Sequence, residues 1–278
     1  MDVVFAQKRR VRNPVGAGMF YPDDKPELLK LLRSFCLEDA ERGQAKAIIA
    51  PHGAWSFSGH LVANAFSSAM GRSADIKKVV ILGPIHDKRE KGLFLSNSHS
   101  FYTPLGNIRV DRKLSEEFDK TSASFEINDI PHLSEHSIEI LLPFIKYCFP
   151  NASIVPILMG QPGAQYIYDL AQGLKTVVTP ILNETLIVVS SNLSCNKDEK
   201  SARILAEEGL RFFIELNASS LASAIFEGSF NACGGALIVS LFESGLVKKA
   251  ISYSSAKNLV SAVSADNSNV YYGNFSFE

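Results

Sequence analysis

A chain of 278 residues, 46% hydrophobic and 21% charged, with a formal net charge of −1, can bury a full core, and one α/β domain over 1–278 is expected. The near-neutral balance, without a Lys/Arg block, excludes a general nucleic-acid binder, whose footprint is a basic stripe. No apolar run approaches ~18 residues, and the opening MDVVFAQKRRVRN puts its apolar residues before its basic ones, the reverse of a signal peptide, so a cytoplasmic protein off the membrane is expected.

In chain order, Asp23 or Asp24 caps a helix with Pro26 in its first turn, and Leu28, Leu31, Leu32 and Phe35 follow at helical spacing. Ala47 to Ala50 is a short apolar run that stops on Pro51-His52 and reopens after Gly53 as a helix ending near Gly71. It reads as a buried strand with His52 at its carboxyl end. Lys78 to Gly83 repeats the pattern and runs into Pro84 and His86. Lys91 to Val110 holds Gly92, Pro104 and Gly106 among short β-like pieces and is expected to be a hairpin or loop excursion rather than another crossover, placed to cover a site.

Ser134 is predicted to cap a helix carrying Ile138, Leu141, Leu142 and Ile145, which puts Glu135 and His136 in its first turn. Ala152 to Met159 and Thr185 to Ser190 read as the third and fourth strands, with Cys195 just past the latter. Glu199 to Phe226 is helical, and Gly234-Gly235 open a further helix that leaves Cys233 near its N-terminus. Ala250 to Ser255 and Val270 to Phe277 are strands rich in Tyr, Ser and Phe, expected at a sheet edge. The fold class is therefore α/β, with a central, mostly parallel sheet flanked by helices.

The four cysteines, Cys36, Cys148, Cys195 and Cys233, form no C-x-x-C, so any metal site has to be assembled by the fold. Taken singly, His52 and His86 suit hydrogen-bonded turns, Cys233 a small buried position and His136 a helix end. Convergence changes this, because two Pro-associated histidines end two strands whose carboxyl ends share the ligand-binding edge of an open α/β sheet. A thiolate near a helix N-terminus completes a chemically sensible ligand triad, His52, His86 and Cys233. His60, His99 and His132 lack such placement and are read as structural.

The order RNPVGAGMFYP, APHGAWSFSG, GPIH, YTPLG, EHSIEILLPF, SSNLS, NACGG and VYYGNFSF, from about Arg12 to Phe277, resembles the Memo family, also called protein B of the AmmeMemoRadiSam system. The resemblance implies a fold like that of the class III extradiol ring-cleaving dioxygenases. It also implies a pocket in place of their non-haem iron site, with iron or copper held by residues matching His52, His86 and Cys233. Typical members read Ser-Ser-Asp-Leu-Ser-His where this chain has SSNLSC, so Asn192 replaces the aspartate and Cys195 replaces the acid/base histidine. A thiol does not substitute simply for an imidazole poised near neutral pH.

The expected function is accordingly redox or metal-binding rather than ring cleavage, with His136, Glu135 and Cys195 as the candidate catalytic groups around a small-molecule or peptide ligand. Cys195 as a fourth ligand would give a His2Cys2 set suited to zinc or Cu(I). Two alternatives follow from the family. One is a peptide- or protein-binding module whose pocket is lined by Trp55 and Phe57; the other is an accessory partner of a radical S-adenosylmethionine enzyme.

Overall fold

The computed structural model describes residues 10–35, 42–253, 260–263 and 267–278. Its strands are β1 (Val11–Arg12), β2 (Ala47–Ala50), β3 (Lys78–Pro84), β4 (Leu93–Leu95), β5 (Ser100–Phe101), β6 (Ile108–Arg109), β7 (Phe125–Ile127), β8 (Ser153–Met159), β9 (Thr185–Ser190), β10 (Ser194–Asn196), β11 (Ala250–Tyr253), β12 (Val260–Val263), β13 (Asn269–Tyr272) and β14 (Phe275–Phe277). The helices are α1 (Lys25–Ser34), α2 (Trp55–Ser67), α3 (Arg112–Asp119), α4 (Ile130–Ser134), α5 (Leu142–Cys148), α6 (Ala164–Val178), α7 (Glu199–Ile214), α8 (Ala218–Phe226) and α9 (Gly235–Glu243).

Four buried apolar strands, β2, β9, β3 and β8, pair in parallel and form the centre of an eight-stranded sheet of order β11-β14-β2-β9-β3-β8-β4-β7. Both faces of these strands must be covered, which is why they read as unbroken Val/Ile/Leu runs. One face packs against Leu170, Leu174, Leu237 and Leu241 of α6 and α9, the other against Leu28, Phe66 and Phe144 of α1, α2 and α5. Asp24 caps α1 by accepting the Glu27 N–H at 3.0 Å. No helix among the described residues is long and apolar enough to cross a membrane.

The hairpin expected within Lys91 to Val110 is present: β5 and β6 pair antiparallel beside β1, while β4 joins the main sheet antiparallel to β8. Two expectations change. The segment Val270 to Phe277 is two strands rather than one, broken at Gly273, where a Cβ would come within 2.3 Å of Leu193 Cδ1. Nor is β14 an edge: it lies between β11 and β2, with Phe275 and Phe277 fully buried, while β13 pairs with β10 and β12 in a second sheet. Of the expected strand from Ala250, residues 254 and 255 lie outside the described residues.

The helix expected from Ser134 is also recast. Helix α4 ends at Ser134, a 3-10 turn covers Glu139–Leu141, and α5 begins at Leu142 with Pro143 in its first turn. Glu135 has extended backbone, so Glu135 and His136 form a link between two short helices. A proline favours the first turn of a new helix because it has no N–H to donate within an old one. Pro143 thus divides what the apolar period from Ile138 to Ile145 alone reads as continuous.

Candidate metal centre

Because β2, β9 and β3 are parallel, the residues that follow them emerge at one edge of the sheet. His52 follows β2, Asn192 follows β9 and His86 follows β3, while Cys233 stands just before α9. Close approach of this last segment depends on Gly234, where a Cβ would lie 2.4 Å from the Ser190 carbonyl oxygen and 2.6 Å from Ser191 Cβ. Cys233 Sγ consequently sits 3.2 Å from His52 Nε2 and accepts the Asn192 N–H at 3.2 Å. His86 also hydrogen-bonds this sulfur, and its ring centroid is 5.3 Å from that of His52, nearly perpendicular at 85°.

The tautomers follow from the hydrogen bonds. Ser190 Oγ has one proton, which it donates to the Ser137 carbonyl at 2.7 Å, so at its 2.7 Å contact with His52 Nδ1 it accepts. His52 therefore carries a proton on Nδ1, and its Nε2 faces the Cys233 sulfur. His86 Nδ1 lies 3.0 Å from Glu135 Oε1, and a carboxylate only accepts, so Nδ1 is again the donor. Both rings are pinned through Nδ1 to a serine or carboxylate, the arrangement that holds ligating histidines in place.

Glu135 is buried, and its carboxylate also accepts backbone N–H groups from His86 at 2.8 Å, His136 at 2.8 Å and Ser137 at 2.7 Å. Burial alone would push the Glu135 carboxyl up, but the His86 bonds and charge outweigh it and hold the group at about 2. Oxygens so engaged orient other groups rather than touch a substrate. His136 stacks between Phe20 and His86, at centroid distances of 4.7 and 4.8 Å. Burial keeps the imidazole at about 4, against the Glu135 charge, so His136 is neutral at ordinary pH.

Cys233 and His86 both reach the surface, but partial desolvation within the cluster still opposes their charged forms. The field and hydrogen bond of His52, with bonds from His86 and the Asn192 N–H, nonetheless bring the thiol down to about 5. Bonds to Cys233 and Glu135 raise His86 to about 10. The depressed thiol contributes stability above its unfolded pKa and loses it as pH falls through about 5; the raised imidazole contributes below its unfolded pKa and loses it as pH rises through about 10. Thiolate and imidazolium therefore coexist between about pH 5 and 10. The iodoacetamide reaction rate at Cys233 in metal-free protein should titrate with a midpoint near 5; a midpoint near the ordinary thiol value would contradict this pairing.

The donor set has the chemistry of a metal site: two imidazoles and a thiolate are borderline-soft ligands once His86 has given up its Nε2 proton. A second grouping shares His86, since ligand atoms of His86, Glu135 and His136 lie within 4.8 Å of one another. The four N–H contacts already made by Glu135 argue against that set. Asn192 Oδ1 accepts the His52 N–H at 3.2 Å, a task an amide oxygen performs as well as a carboxylate.

Cys195 belongs to β10 rather than to the turn after β9, and it packs beside Leu61, Val270 and Tyr272. Its backbone is bracketed by Asn231, whose Nδ2 donates to the Cys195 carbonyl and whose Oδ1 accepts the Cys195 N–H at 3.4 Å. Trp55 does not line a pocket: it is 2% exposed, packs on Phe144 and donates to the Ile140 carbonyl at 3.2 Å, while Phe57 is exposed. Sequence reasoning missed Tyr272, whose phenol lies on Gly53; a Cβ there would come within 2.6 Å of its Cζ. A cleft of about 800 Å³ lined by Lys78, Asp111, Lys120 and Gln172 lies at the opposite, amino-terminal edge of the sheet and shares no residue with this cluster.

These features define an α/β protein with an imidazole–thiolate cluster at the carboxyl edge of a mixed sheet. The chain belongs to the Memo family: the model of the Memo-like protein family matches residues 12–274. A MEMO1 family protein of Aquifex aeolicus is 31% identical over 229 residues, covering 81% of this chain and 82% of that one. Another from Thermoplasma volcanium is 27% identical over 232 residues, covering 82% and 84%. The crystal structure of an uncharacterised Escherichia coli K12 protein is similar at a TM-score of 0.46 and 10% identity, covering 82% of this chain and 98% of that one.

Proposed function

We propose that this Memo-family protein binds a metal through His52, His86 and Cys233 and serves a redox or metal-holding role rather than ring cleavage. The observation that carries the reading is the double pinning of His52 by Ser190 and His86 by Glu135, which ties each ring through Nδ1 and leaves Nε2 as its ligating atom beside the Cys233 sulfur. Bound iron or copper would supply electron-transfer or Lewis-acid chemistry there. Two imidazoles with a thiolate are softer than the two-histidine, one-carboxylate set of non-haem iron oxygenases, so copper or zinc should compete well against Fe(II). Loading requires His86 to give up its Nε2 proton, which makes affinity fall with pH.

Ring cleavage needs a base poised near neutrality. Cys195 offers no imidazole, and Glu135 is held ionised by its hydrogen bonds. Elemental analysis of protein purified under reducing, chelator-free conditions should find copper or zinc near one equivalent, and Fe(II)-loaded protein should leave a catechol uncleaved. Protein that holds no metal and takes none up on titration would overturn the reading, and robust catechol cleavage would overturn its second half.

A further inference from the structure

The phenol of Tyr272 is placed by two independent features. Antiparallel pairing of β10 with β13 sets Cys195 opposite Val270, and residues two apart on a strand share a face, so Cys195, Val270 and Tyr272 project to the same side. Leu61 of α2 packs on that side and completes a small apolar cluster with them. On the other flank the ring lies across Gly53, whose missing side chain makes room for it: a Cβ would be 2.7 Å from the Tyr272 hydroxyl oxygen. The hydroxyl thus stands over the residue that follows His52.

Tyr272 is only 6% exposed, yet among the described residues no donor or acceptor pairs with its hydroxyl. That oxygen is not sealed off, for no buried side-chain oxygen or nitrogen lacks a partner among the described residues. A tyrosine buried in its ring and open at its oxygen is an amphipathic group whose polar end stays accessible. A phenol keeps its proton at ordinary pH, so the hydroxyl is available as a hydrogen-bond donor.

Resting on the metal reading above, we propose that Tyr272 is a ligand-contact residue that donates a hydrogen bond to an anionic atom of an exogenous ligand held at the His52, His86 and Cys233 centre. Three protein ligands leave a fourth position for such a ligand on a tetrahedral metal. The contact provides at this rim a polar donor that Cys195, packed in the apolar cluster, is poorly suited to supply. Recognition is of small anions or of anionic oxygen or nitrogen atoms on a larger molecule.

The test uses the whole chain loaded with Co(II), whose thiolate charge-transfer band reports occupancy, and azide as the anionic probe. In Tyr272→Phe the ring still fills the space over Gly53, so Co(II) affinity should stay within about threefold of wild type. Azide affinity should fall at least about tenfold, as expected for loss of a hydrogen bond to a charged acceptor. Tyr271→Phe, which alters a tyrosine in the main core rather than in this cluster, should leave azide binding unchanged. Unchanged azide affinity in Tyr272→Phe with normal Co(II) loading, or equal losses in both variants, overturns the assignment while leaving the metal site standing. Failure of wild-type protein to bind Co(II) overturns both.

Discussion

Cys233→Ser is expected to weaken Zn(II) or Cu(I) binding by more than about 100-fold, whereas Cys195→Ser leaves it within about threefold. Loss of an outer-shell partner typically costs 10–100-fold in metal affinity, and removal of a direct ligand exceeds that. Serine does not deprotonate near neutral pH, so it cannot provide the anion that Cys233 supplies through its contacts with His52, His86 and the Asn192 N–H. Cys195, by contrast, sits on β10 against Leu61 and Val270. Competition with a chromophoric chelator measures both variants. Greater damage from Cys195→Ser would mean the wrong cysteine has been assigned; equal, large losses would make the site a four-ligand His2Cys2 centre.

That His52, His86 and Cys233 come together at one sheet edge was legible because local signals mark them. Pro51 and Pro84 end apolar runs, and Gly234-Gly235 open an apolar helix, so each residue's place depends on its immediate neighbours. Glu135 and His136 were found but set in the wrong element, since the apolar period from Ile138 to Ile145 runs unbroken through a 3-10 turn and the start of α5. The placement of Tyr272 beside Gly53 was not legible, because it depends on pairing between β10 and β13 and on a contact distant in sequence. The alternation of Val270 and Tyr272 shows that they share a face but not what the face meets. Trp55 was misplaced toward the pocket because an aromatic after a strand end can face either way; Phe144 and Phe35 draw it into the core.

Glu139→Ala should destabilise the protein by about 3–5 kcal/mol, the usual cost of stranding one partner of a buried ion pair. Arg12 and Glu139 are both almost wholly buried and directly paired. Glu139 also accepts the backbone N–H groups of Val15 at 2.8 Å and Gly16 at 2.7 Å, and the Tyr21 hydroxyl at 2.9 Å. Arg12 donates to the His132 carbonyl at 2.9 Å and to the Glu135 carbonyl at 2.7 Å. The pair thus ties the segment from Arg12 to Tyr21 to the link bearing Glu135 and His136, and the same segment supplies Phe20, which stacks on His136. Arg12→Ala should cost a similar amount. Together the two substitutions should cost clearly less than their sum, because each single change leaves a buried charge that the other removes. Urea unfolding of the two single variants and the double variant closes this cycle. Additive losses, or single losses below about 1 kcal/mol, would show that the pair does not anchor the segment. Since Glu135 in turn holds His86, Glu139→Ala should also weaken metal binding in protein that remains folded, although Glu139 contacts none of the three proposed ligands.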